Sequence, residues 1–142
     1  MYFTVGAAFL AFDFCISKTL RILRNVHQLY TSAHRTFSHP LKNELAPLQI
    51  EFKLGVATAL LTEYQQQQPD QNELGVRYVL KHLQSTSELI QCETNRLEQL
   101  SRKLQRRWII IIPADWDTET KMMKHLIKVL DHQLTILLSL RR

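Results

Sequence analysis

Apolar residues recur every seven positions from Val76 through Leu83, Ile90 and Leu97 to Leu104, with neither glycine nor proline between Gly75 and Pro113. That repeat predicts one uninterrupted helix over 70–108, roughly 50 Å or more in length. Such a helix is longer than a compact domain of this size needs, and it suits the spine of a bundle or a surface offered to a partner. Asp70 stands as its N-cap with Glu73 three residues on, a capping-box-like arrangement, and Glu73–Arg77 and Glu98–Arg102 follow the favourable i,i+4 order. Four residues after each heptad position come Leu80, Ser87, Thr94, Ser101 and Trp108. A two-stranded coiled coil wants both rows apolar. A second row that is polar in its middle predicts instead a helix inside a bundle, with a thin or partly wet central section.

Three further helices are expected. The first covers 4–36, where Phe12, Ile16, Leu20, Leu23 and Tyr30 fall at helical intervals and Val26 and Leu29 widen the stripe. Ser38-His39-Pro40 reads as a break, because the residue before a proline avoids the α region. The second runs over 46–68, with Pro47 in its first turn and an inward stripe of Leu48, Phe52, Val56, Ala59 and Leu60. Gly55 and Ala59, small and four apart, predict close approach by another helix. The last runs over 118–140, capped by Asp115 or Asp117, with a stripe of Met123, Ile127, Leu130, Leu134 and Leu137. Its end is apolar on several faces (Leu126, Ile136, Leu138, Leu140), which predicts cover by the fold or by a partner subunit. Between the long helix and the last one, Trp108 and the isoleucines 109–112 fit a short strand, a buried helix end or an extended connector equally well. The expectation is a single all-α domain over 1–142, a bundle of about four helices with one long central helix; only three glycines and four prolines fit that class.

Charge is unevenly placed. The net +5 divides into +4 over 1–42, −4 over 43–101 and +5 over 102–142. Basic ends around an acidic middle point to polyanionic or acidic partners, or to helices of opposite charge packed side by side. Cys15 and Cys92 form no CxxC and no disulfide framework, so the cytoplasm or another reducing compartment is expected. The first sixteen residues are apolar apart from Thr4 and Asp13. They lack the charged start of a signal peptide and fall short of a membrane span, which favours a buried first helix over an anchor or a targeting segment.

Candidate chemistry is sparse. Glycines only at 6, 55 and 75 leave no phosphate-binding or dinucleotide-binding loop. No His-x-x-x-His or Glu-x-x-His occurs, and His27/His34 and His125/His132 are each seven apart, too far to share a metal; no metal site and no cofactor is expected. Arg77 and His82 have an Arg-x4-His spacing that resembles the pairs of helical RNases of the HEPN type. Ten arginines and six histidines in 142 residues produce about 0.4 matches at any one such spacing by chance, and about 1.3 over spacings of four to six. The denser signal is Arg102, Lys103, Arg106 and Arg107 on one arc of about 140° of the long helix, joined one heptad earlier by Arg96. Clustered cations on one face track a phosphate backbone, although cations near a helix C-terminus also answer the helix dipole. The leading expectation is therefore a small, basic, non-enzymatic helical subunit that packs among protein partners, homo-oligomers included. The alternatives are an RNA- or DNA-binding subunit using Arg96, Arg102, Lys103, Arg106 and Arg107, and a nuclease using Arg77 and His82.

Overall fold

The computed structural model describes residues 2–32, 37–66, 73–106 and 115–140, with side chains from Phe14 onward except those of 73, 105 and 106. Among them there is no strand. Helix α1 spans Tyr2–Thr31, α2 His39–Leu45, α3 Ile50–Gln66, α4 Glu73–Arg106, α5 Trp116–Glu119 and α6 Lys121–Leu140, with a 3-10 turn at Ala46–Leu48. The chain is all-α, a bundle of about four main helices around the long α4.

Directions follow from the contacts. Cys15 Sγ lies 3.0 Å from Gln84 Oε1 and Tyr30 Oη 3.1 Å from Thr94 Oγ1, so α1 and α4 run parallel. Ser17 and Gln65 meet at 3.0 Å while His27 faces Gly55, so α3 runs antiparallel to α1. Arg96 reaches Glu119 and Gly75 neighbours Leu140, so α6 returns antiparallel to α4. Helices α1 and α4 thus form the centre, with α3 packed on the first and α6 on the second. The short α2 and α5 close one end.

The heptad row of α4 is the heart of the core: Leu83, Ile90 and Leu97 are fully buried, while Val76 and Leu104 pack against it from its ends. The second row is not a wet seam. Leu80, Ser87, Thr94 and Ser101 are all buried, and each hydroxyl has a protein partner. Ser87 donates to Leu83 O at 2.7 Å, Thr94 shares a hydrogen bond with Tyr30, and Ser101 accepts from the Ser38 backbone N–H at 2.8 Å. Small polar side chains let neighbouring elements come close, and these bonds, one local and two long-range, offset the cost of burying their oxygens. In α1, Ile16, Leu20, Leu23 and Val26 are buried as their spacing predicts; in α6, Met123, Ile127, Leu130, Leu134 and Leu137 are.

Four expectations are corrected. The helix expected over 46–68 is divided: α2 precedes it with Pro40 in its first turn, Pro47 sits in the 3-10 turn, and Gln49 takes a left-handed conformation (φ 51°, ψ 45°) before α3 starts. The inward face of α3 consists of Ile50, Leu54, Ala57, Leu60 and Leu61, whereas Phe52 is 69% exposed and Ala59 is also exposed. Apolar positions spread over about 220° of the helix surface, more than one neighbour can cover, so the spacing does not fix which part faces inward. Nor does a helix approach at Gly55, where an added Cβ would meet only His27 Nε2 at 4.0 Å. At the last helix, Asp115 is the cap, but of the single turn α5: its carboxylate accepts from the Thr118 hydroxyl at 2.6 Å and the Thr118 N–H at 3.4 Å. Those bonds hold its carboxyl below the usual range. Asp70, Trp108 and the isoleucine run lie outside the described residues.

Candidate interaction surfaces

The basic arc of α4 is partly drawn into the fold. Arg96 Nε donates to Glu93 at 2.6 Å, and its two terminal nitrogens reach the Glu119 carboxylate at 2.8 Å and carbonyl at 2.7 Å. The side chain therefore clamps α5 onto α4, and the two carboxylates, Glu93 foremost, push its already high pKa higher. Arg102 pairs with Glu98 at 2.7 Å, as its i,i+4 spacing predicts. Lys103 is exposed. The Arg106 side chain and the whole of Arg107 lie outside the described residues. Of the five cations, the two whose partners are recorded thus have carboxylates beside them.

Arg77 and His82 share one unbroken helix, which sets positions five apart about 140° from each other around its axis. Exposed His82 lies against the Tyr78 ring, centroids 4.4 Å apart, and Arg77 is half-buried. This arrangement does not place the two side chains on one face. Cys15 is half-buried between α1 and α4, and burial pushes its thiol up, away from a reactive thiolate. His125 and His132 are exposed on α6. Among the described residues no three His, Cys, Asp or Glu side chains converge as a metal site would require.

Ion pairs across the segments account for part of the uneven charge. Lys18 of the basic N-terminal part meets Glu88 at 3.5 Å, and Lys124 of the basic C-terminal part meets Glu44 at 3.2 Å and Asp117 at 2.8 Å. Asp117 and then Glu44 raise the Lys124 pKa. Lys18–Glu88 and Lys124–Glu44 thus tie the basic ends of the chain to its acidic middle.

Among the described residues two apolar surfaces stand out. At the end where α4 begins and α6 finishes, Leu74 is 83% exposed, Tyr78 67% and Leu140 41%. Gly75 lies between them, and Leu140 Cδ1 would sit 3.8 Å from a Cβ there. These residues are contiguous: Leu74, Gly75 and Tyr78 lie within about 100° of one helix face. The 3.5-residue repeat that identifies α4 starts at Val76 and passes over this patch, so periodicity does not single it out. The second surface is an open groove of 830 Å³ on α3 beside His27, lined by Phe52, Gly55, Val56 and Ala59.

Among the described residues no single helix is long and apolar enough to cross a membrane. No family model matches the chain, and no curated protein or solved structure is significantly similar to it.

Proposed function

We propose that this chain is a non-enzymatic helical subunit that docks into a larger protein assembly through the end of the bundle where α4 begins and α6 finishes. The observation that carries this reading is the exposure of Leu74, Tyr78 and Leu140 as neighbours. Single exposed leucines are ordinary, but large apolar side chains gathered on two adjoining helices mark a surface that a partner covers. Tyrosine at such a place offers a broad apolar body with a polar tip, the kind of anchor that dominates protein interfaces. The helices beneath are held by the buried rows of α4 and α6, so the patch is presented on a rigid frame.

A photo-crosslinking amino acid at position 78, introduced into the full chain in its native cells, tests this. The expected result is one discrete adduct with a different protein, absent when the crosslinker stands at exposed Lys128 on α6. Adducts with the same proteins from both positions, or none from position 78, would overturn the proposal.

A further inference from the structure

The outward face of α3 has the features of a surface that fits itself. Phe52 projects from it at 69% exposure. One to two turns further on, Gly55, Val56 and Ala59 line an open groove together with Glu51, His27 of α1 and one side of the Phe52 ring itself. A protruding ring and a hollow of small residues thus lie side by side on one helix. A two-fold interface requires this combination, because the same patch must supply both halves of each contact.

Charge follows the same symmetry. Ser17–Gln65 and His27–Gly55 set the antiparallel register of α1 on α3, which brings position 24 of α1 roughly level with position 58 of α3. Arg24 is exposed and lies about 20° round α1 from Ser17, on the side that faces α3. Two α3 helices crossing antiparallel, each Phe52 over the partner's Gly55–Ala59 hollow, would bring exposed Glu51 level with position 58 of the other copy. The partner's Arg24 stands there. Two ring insertions and two Glu51–Arg24 pairs arise together from one rotation.

We infer that the α3 face is a homodimer interface, in which Phe52 fills the groove of a second copy and Glu51 pairs with the partner's Arg24. This surface is separate from the Leu74–Tyr78 patch. Sedimentation equilibrium of the full chain should give a reversible species of twice 16.7 kDa at tens of micromolar. Phe52→Ser should leave helical content intact, because the ring is exposed, and weaken the dimer at least tenfold. Glu51→Arg should weaken it severalfold, and adding Arg24→Glu in the same chain should recover most of that loss by reversing both pairs. Leu74→Ser with Tyr78→Ser should leave the dimer unchanged. A wild-type chain that stays monomeric overturns the inference. So does a dimer indifferent to Phe52→Ser, or a charge reversal that Arg24→Glu does not rescue.

Discussion

At the scale of single residues, the most consequential groups are the hydroxyls inside the bundle. Tyr30 packs edge-on against Phe37, ring centroids 5.7 Å apart, and meets Thr94 on α4. Burial pushes its phenol from 10.0 up to about 12, against the smaller opposing effect of the Thr94 bond. A raised pKa means that the neutral form belongs to the folded state. The contribution is therefore complete below pH 10 and is lost as pH rises through 12. Urea unfolding should show the wild type losing on the order of 2 kcal/mol more than Tyr30→Phe between pH 9.5 and 12. At neutral pH, Tyr30→Phe should cost about 1 kcal/mol, the worth of one partly buried hydrogen bond. Equal pH profiles for the two proteins would show that the phenol is not buried in this way.

At the scale of elements, α4 departs from an ideal heptad helix because its neighbours lie too close for larger side chains. Replacing Ser87 by Leu would complete the second apolar row and improve the pattern read from the sequence. In the fold, position 87 is fully buried and already filled, so Ser87→Leu should destabilise by about 1–3 kcal/mol through overpacking. Differential scanning calorimetry would read this as a lower Tm, and a higher Tm would mean that the row has room. The turn into α3 is the other element with a definite expectation. Gln49 takes a left-handed conformation while its carbonyl accepts from Lys53 N–H at 3.0 Å at the start of the helix. A side chain at that φ costs roughly 1–2 kcal/mol, of which glycine's greater freedom in the unfolded chain takes back part. Gln49→Gly should therefore stabilise by up to about 1 kcal/mol, visible as a higher urea midpoint with unchanged slope.

At the scale of the whole molecule, the distribution of charge and apolar surface sets the expectations. Clamping Arg96 onto Glu93 and Glu119 makes that cation an internal connector. Arg96→Ala should loosen α5 and speed hydrogen exchange at its backbone amides, while changing global stability by less than about 1 kcal/mol, as for other exposed pairs. Titration of the chain against single- and double-stranded RNA and DNA at two salt concentrations checks the polyanion reading. With Arg96 and Arg102 each held by a carboxylate, only weak binding is expected, falling steeply with salt and little changed by Arg96→Ala. Tight binding abolished by Arg102→Glu with Lys103→Glu would instead make this face the principal surface of the molecule.

The helical class, the spine, the inward stripes of α1 and α6 and the Arg102–Glu98 pair were legible in the sequence. Each depends on residues within two turns of one another, and helical geometry turns such spacings directly into faces. Three features were decided only by tertiary packing. The inward face of α3 was chosen by α1, since nine apolar positions spread over about 220° of that helix leave its spacing short of a single face. The polar row Ser87, Thr94 and Ser101 became dry, bonded core because Tyr30 and the Ser38 backbone come to meet two of its hydroxyls from 64 and 63 positions away. Arg96 became a clamp through Glu119, 23 positions on. Local periodicity records how a helix divides its own surface; which partner lies against each part, and which part stays open, depends on groups that only the folded chain brings within a few ångströms.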